Sequence, residues 1–570
     1  MKLTFLSFRA TFQCSPSAAA AILFLCCVTL VVAQSPFPAA NSALPPALRH
    51  SNPKGNTPEA LLGERLFLET RFAQYFAAHQ PDVNAALLQG DPVMETVINP
   101  QAGVPYPGPF AGKSMNCRAC HFVEEFTRYI AGSQRSYTDY GPRSMIPGRG
   151  DGRTTTLRNT RSLVDALSAD PDILLLHSDG EFNSAEDITR STLTGRTFGW
   201  LLTEHNQAVA HIARVIREDN GTDTLGRQYG GPYAKLLLGT APDIAPAFRL
   251  PEKYRLDVRM ASDQQIFQRV AELISAYLAS LEFERLDAQH TGSAYDRFLV
   301  KNHLPAQPAP GETAADYTRR LAREVDALAS PSFVKPYERY LRTHSHVAEF
   351  GQLELRGLTI FLRQADAPAA HTGNCAHCHQ PPEFTDYRFH NTGAAQEEFD
   401  AVHGAGSFVA LRVPSLEERR LHPAMYLPAT LSHPDATGVF RTAPSPSNPK
   451  AVDLGLWNVY ANPDYPAPQP KLQKLLCQNQ PCDTASVLAS TIALFRTSDL
   501  RDQGHSDPYL HTGRKLTIED VLHFYQHMSA LARQGKLRNG DPALSAIDID
   551  DDDVAALAAF LRSLDEDYDN

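Results

Sequence analysis

Two Cys-x-x-Cys-His runs, apolar residues recurring at helical spacing and only short, weak strand signals predict a mostly α-helical protein with two cytochrome c-like haem domains and large loop-rich insertions. The runs are Cys117-Arg118-Ala119-Cys120-His121 and Cys375-Ala376-His377-Cys378-His379. In this pattern two thiols bond covalently to porphyrin vinyl groups, and the adjacent histidine reaches the iron as an axial ligand. The competing reading joins the two Cys-x-x-Cys halves into one four-cysteine zinc site, which asks for no histidine directly after each pair. The expected cofactors are therefore two covalently bound c-type haems, one on Cys117, Cys120 and His121 and one on Cys375, Cys378 and His379.

At the N-terminus, Lys2 and Arg9 precede an apolar stretch of 16 residues from Ala18 to Ala33, which ends in the small-residue site Val31-Val32-Ala33. This predicts a secretory signal peptide over residues 1–33, with an uncleaved N-terminal anchor as the alternative. No other run of 18 apolar residues occurs, so the mature chain is expected to be periplasmic or secreted and not membrane-embedded. Of the 9 cysteines, the segment takes Cys14, Cys26 and Cys27. The haem motifs use four more, and Cys477 and Cys482 are left for a local disulfide in an oxidising compartment, against two free thiols. The formal charge is −11, and loss of the segment, with two basic and no acidic residues, leaves −13. An acidic surface argues against nucleic acid and suits a basic electron-transfer partner.

Along the chain, Leu61–Leu68 forms an amphipathic helical run ahead of the first motif, and Leu355–Leu362 stands in the same relation to the second. Each provides an apolar wall for a haem. Further helical patterns cover Ile188–Leu202, Asn206–Glu218 and Asp263–Glu282; in the last, Ile266, Val270, Leu273, Ile274 and Tyr277 share one face and read as core. Tyr229-Gly230-Gly231-Pro232-Tyr233 is a turn, because no Lys-Ser or Lys-Thr follows as a phosphate loop requires. Residues 301–345, with Pro305, Pro308, Pro310 and many charges, read as the connection between an N-terminal haem domain (50–330) and a C-terminal one (346–570) that carries an insertion near 413–494. Thr517 opens a helix, with Asp520 completing a capping box. Ile518, Val521, Leu522, Tyr525 and Met528 then face inward, and His523 and His527 face solvent. The acidic run Asp548–Asp553 directly precedes an apolar helix and reads as its cap, although its composition also resembles a calcium loop.

The second half carries, in order, the haem motif, Pro382-Glu-Phe384-Thr385-Asp386-Tyr-Arg-Phe389-His390-Asn391-Thr392-Gly393, Phe495-Arg496-Thr497-x-x-Leu500-Arg501, Pro508-Tyr509-Leu510-His511-Thr-Gly513 and Leu516-Thr517-Ile518-Glu519-Asp520-Val521. This series resembles the signatures of bacterial dihaem cytochrome c peroxidases and the related MauG proteins. The first half fits more loosely, through the Gly63–Phe67 helix, Arg158-Asn159 and Ser293–Leu299. The resemblance spans most of residues 55–565, and stretches near 200–290 and 413–494 look like insertions relative to compact members. It implies that the haem on His121 is the reactive one, meeting peroxide or oxygen opposite that histidine. The haem on His379 is then a six-coordinate electron store, a division that suits an open iron for chemistry and two strong ligands for electron transfer. Tyr525 matches the second axial ligand, which is Met in the peroxidases and Tyr in MauG; Met528 and a plain core role for Tyr525 are the alternatives. Family members often hold a calcium ion between domains, and the sequence assigns no ligands to it.

Three departures qualify the resemblance. Members needing reductive activation have a blocking histidine after the first motif; here none occurs from Phe122 to Leu176, and Met145 is the one substitute. An open iron at the first haem is the expectation. Where the family commonly has Phe-Trp-Asp-Gly-Arg, this chain has His177-Ser178-Asp179-Gly180-Glu181, so the bridging Trp becomes Ser178, with Trp200 as a candidate replacement. Counting on puts Ile188 and Phe198 at the family's Gln and Glu. Phe198 cannot move a proton between peroxide oxygens, and a gap in the alignment with the family would bring in Glu204 or Arg196 instead, which makes these the candidate catalytic residues.

The leading expectation is thus a periplasmic peroxidase-type oxidoreductase, reducing hydrogen peroxide with electrons from a small donor protein. The alternatives are a MauG-like oxidase or dioxygenase acting on a protein or organic substrate, favoured by Tyr525, Phe198 and the insertions, and a non-enzymatic dihaem electron carrier.

Overall fold

The computed structural model describes residues 57–98, 105–108, 110–121, 143–338, 341, 346–365, 367–478 and 480–566. The expected signal segment, with Cys14, Cys26 and Cys27, lies outside them. The described chain is mostly helical, and its strands form three two-stranded antiparallel ribbons. None of its helices is long and apolar enough to cross a membrane.

Two helix crossings frame the haem motifs, and both depend on a glycine. Helix α1 (Pro58–Phe67), capped by Thr57, packs on helix α4 (Asp263–Leu278). At Gly63 a Cβ would fall 2.0 Å from the Leu273 carbonyl oxygen, so only glycine admits the approach. In the second half, helix α6 (Gln352–Leu362) packs on helix α8 (Asp551–Arg562), and a Cβ at Gly357 would fall 2.0 Å from the Ala556 oxygen. The same device thus recurs beside each motif.

The apolar side chains gather into separate cores. One runs from Leu62 to Ile274 and includes Ile212 and Ile216 of helix α3 (His205–Glu218). A second joins Phe298, Phe350, Phe361, Phe384, Leu522 and Phe560. The third belongs mainly to the insertion, around Phe440, Leu454, Trp457 and Leu472. Burying a side chain of this size stabilises by roughly 1.5–3 kcal/mol, so each core is substantial.

Three boundaries differ from the sequence expectation. Helix α2 (Ala185–Leu193) ends at the Thr194-Gly195 turn instead of reaching Leu202. Helix α4 stops at Leu278, four residues early. The supposed connection 301–345 contains helix α5 (Ala314–Asp326), capped by Thr313, which buries Tyr317, Leu321 and Val325. The prolines before it mark a boundary, and the amphipathic spacing after them wins.

Helix α7 (Ile518–Arg533) has the expected Thr517–Asp520 capping box, with Ile518, Leu522 and Met528 buried and His523 and His527 exposed. Strand β1 (Phe389–His390) pairs antiparallel with β2 (Phe495–Arg496), tying the chain just past the second motif to the segment that leads into α7.

Candidate haem sites

Residues Cys117–Ala119 form a tight turn, in which the Cys120 and His121 amides both donate to the Cys117 carbonyl, at 3.1 and 3.0 Å. The turn presents Cys117, Cys120 and His121 to one cavity of about 1390 Å³. Both thiols are free, and burial pushes them up to about 12 and about 11. His121 Nδ1–H donates to the Arg161 carbonyl at 3.1 Å, leaving Nε2 for a metal. Burial lowers its imidazole to about 4, so it is neutral, as ligation requires. Phe67, Met115, Phe267, Ile274 and Leu278 supply apolar lining.

The polar lining points to a ligand with carboxylates. Arg158 is matched by Asp179 at 2.8 Å and by Asp453 at 2.6 Å. Arg161 and Arg496 are half-buried in the same lining and have no carboxylate within ion-pair distance among the described residues. Arg161 donates to the Ser178 hydroxyl (3.1 Å) and the Arg496 carbonyl (2.7 Å). Arg496 Nε is buried without a partner. Burial, with Arg496 beside it, pushes the Arg161 guanidinium down to about 9. A charge withdrawn from water in this way favours a counter-ion. The propionates of a haem attached at Cys117 and Cys120 fit that need, since guanidinium–carboxylate bonds are among the strongest polar contacts.

The sequence candidates for catalysis sit close by but are engaged. Arg196 lines the cavity, yet its guanidinium grips Asp151 at 2.7 and 2.8 Å and the carbonyls of Pro147 and Arg153. Glu204 takes two bonds from Arg149 (2.8 and 2.7 Å) and one from the Leu201 amide, and the Arg149 bond first of all holds its carboxyl below the usual range. Ile188, Phe198 and Trp200 line the cavity, and Trp200 Nε1–H donates to the Phe72 carbonyl at 3.1 Å. Met145 packs against the first core, and its neighbour Ile146 reaches the cavity lining.

Other lining groups went unnoticed in the sequence. His205, the first residue of α3, presents an imidazole that burial lowers. Burial pushes Asp499 up to about 6. His511 stacks on Phe495 with ring centroids 3.6 Å apart, and its Nε2 is buried without a partner. Its motif gave a signal, but its place in this cavity depends on a backbone bond from Asn159 to the His511 carbonyl, at 2.8 Å.

The second motif repeats the local geometry. The Cys378 and His379 amides donate to the Cys375 carbonyl at 3.2 and 2.9 Å, and His379 Nδ1–H donates to the Phe384 carbonyl at 2.9 Å. Burial lowers the His379 imidazole below its ordinary value. Phe384 stands edge-on to Phe361 and Phe560, which anchors the carbonyl. Tyr525 packs beside Phe524 near this motif: burial raises its phenol well above the ordinary value, and the Cys378 and Cys375 thiols add to the rise. Met528 instead packs with Ala394 and Phe524, its sulfur against Gly393. Near Cys378, His390 is clamped between Asp386 (2.8 Å) and Asp541 (2.6 Å). The acidic run is used locally, with Asp550 capping α8 and buried Asp553 paired to Arg356 and His371. Cys477 and Cys482 are joined in a disulfide.

No protein-family model matches the chain, and no curated protein matches its sequence. Among solved structures, it is similar to the dihaem peroxidase BthA of Burkholderia thailandensis, at 17% identity and a TM-score of 0.41, covering 90% of this chain and 86% of that one. A point variant of the same peroxidase matches at 17% identity and 0.42, over 89% and 86%. A MauG-like protein associated with microbial copper homeostasis matches at 16% identity and 0.41, over 89% of each chain.

Proposed function

We propose that the chain is an exported dihaem oxidoreductase of the peroxidase and MauG kind, which reduces hydrogen peroxide at the haem on His121 and draws electrons through the haem on His379 from a small donor protein. The carrying observation is the asymmetry of the two sites. His121 opens onto a cavity of about 1390 Å³, whereas Tyr525, packed beside Phe524, lies close enough to Cys375 and Cys378 for their thiols to act on its phenol. Haem, when bound, would supply a redox iron at each site.

The chain's own residues do the rest. The Arg161 and Phe384 carbonyls fix the tautomers of His121 and His379. Arg161 and Arg496 would hold the haem carboxylates, and Phe198 and Trp200 make one wall of the cavity apolar. Peroxide cleavage is helped by a group that takes a proton from one oxygen and returns it to the other. Glu204 does so only if its pair with Arg149 opens, and Arg196 is held by Asp151. His205 offers a neutral imidazole on the same lining without breaking an ion pair.

A specific observation favours a second reading, a MauG-like oxidase or dioxygenase. Pro428, Ala429, Leu431 and Ala436 of the insertion line the same cavity, together with the charged Asp435 and Arg441, so the insertion contributes a mixed wall that could meet a substrate larger than peroxide. The test is turnover of hydrogen peroxide by the ferric holoprotein with reduced cytochrome c as donor. Steady turnover supports the peroxidase. A long-lived oxidised state with poor cytochrome c oxidation supports the second reading, and indifference to peroxide leaves only an electron carrier.

A further inference from the structure

Ser178 stands where the resemblance places an inter-haem tryptophan, and hydrogen bonds run from it towards both motifs. Its hydroxyl accepts from Arg161 Nε at 3.1 Å, and its carbonyl accepts the Arg496 amide at 2.8 Å. From there a continuous set of bonds runs both ways. Arg161 accepts from His121 Nδ1 through its carbonyl at 3.1 Å, and its guanidinium donates to the Arg496 carbonyl at 2.7 Å. One peptide on, the Thr497 carbonyl accepts from the Thr385 hydroxyl at 3.1 Å. Thr385 follows Phe384, whose carbonyl accepts from His379 Nδ1 at 2.9 Å. The Ser498 backbone also bears on the His379 imidazole.

We infer that the two haem-ligand histidines exchange electrons through this relay, His121–Arg161–Arg496–Thr497–Thr385–Phe384–His379, with the Arg161 guanidinium as its single side-chain bridge between the halves. Electron tunnelling decays more slowly along covalent and hydrogen bonds than through empty space, so a continuous bonded route couples two sites better than a gap does. The crossing is held in place: Thr385 and Thr497 are buried, and β1 pairs with β2 beside it. In each transfer one electron leaves the iron on His379, which is oxidised, and enters the iron on His121, which is reduced; no proton travels along the relay. Arg161 and Thr385 are positioning residues, since they act through the histidines they connect.

The inference rests on both motifs carrying haem, so the haem content of the wild-type protein is measured first. The inter-haem rate is then followed by flash photolysis of the half-reduced, carbon monoxide-bound holoprotein. Thr385→Val removes the hydroxyl with little change of shape, and Arg161→Gln removes the guanidinium but keeps the carbonyl. We expect each to slow the transfer about tenfold, equivalent to ~1.4 kcal/mol on a barrier, and Thr385→Val to do so with the Soret and EPR spectra of both haems unchanged. Thr385→Ser restores the rate, and Trp200→Phe leaves it alone. A wild-type rate in Thr385→Val, or a loss confined to Trp200→Phe, overturns the relay while leaving the function standing. A chain with fewer than two haems overturns both.

Discussion

Arg501 and Asp296, 205 residues apart in the chain, form a fully buried two-point ion pair, with both bonds at 3.0 Å. Asp296 also caps its own helix through Ser293, and Arg501 Nε reaches the Pro382 carbonyl just beyond the second haem motif. Removing one partner strands a buried charge. Asp296→Ala is expected to lose about 3–5 kcal/mol, read from denaturant unfolding. A loss below about 1 kcal/mol would mean that the pair is replaceable by water.

Tyr525 and Met528 separate cleanly by substitution. Tyr525→Phe should convert the haem on His379 from low to high spin, and Tyr525→Met should restore six-coordination at a higher reduction potential. Met528→Leu, a swap of similar volume against Gly393, should leave ligation untouched and change stability by less than about 1.5 kcal/mol. Spectroelectrochemistry reads all three. Loss of the low-spin signal in Met528→Leu alone would reverse the assignment.

Glu69 governs an acid transition in the first core. Burial works to raise its carboxyl, but Arg71, bonded at 2.7 and 2.8 Å, overcomes this and holds it near 2 against an ordinary 4.5. A lowered folded value contributes stability that is present above the unfolded pKa and lost as pH falls through the folded one. The wild type should therefore lose on the order of 3 kcal/mol between about pH 4.5 and 2, whereas Glu69→Gln lacks that component. Parallel stability–pH curves for the two proteins would exclude the pair as its source.

His205 and Glu204 are neighbours with different expected effects. If the imidazole moves the peroxide proton, His205→Phe should slow the peroxide reaction about a hundredfold without changing the ferric spectrum. Glu204→Gln weakens the Arg149 contact and the start of α3 and should alter the rate only a few-fold. Stopped-flow mixing with peroxide measures both, and the opposite ranking would return the role to Glu204.

What the sequence disclosed was local. The Thr517–Asp520 cap and the inward stripe of α7 lie within one helix, so spacing alone reveals them. Gly63 and Gly357 sit in matching runs ahead of the two motifs, and their packing makes the likeness physical. Long-range partners were silent. Arg161 meets Arg496 across 335 residues, and nothing near either position announces the other. Arg196 and Glu204 have the right chemistry for catalysis, but Asp151 and Arg149, some 45 and 55 residues upstream, engage them. The prolines near 305 suggested a linker, yet Tyr317, Leu321 and Val325 find the second core.

The most direct test of the account is an EPR spectrum of the ferric holoprotein, with both haems attached. It should show a high-spin signal from the iron on His121 beside a low-spin signal from the iron on His379 and Tyr525. Two low-spin signals, or a protein that attaches no haem at Cys117 and Cys120, would contradict it.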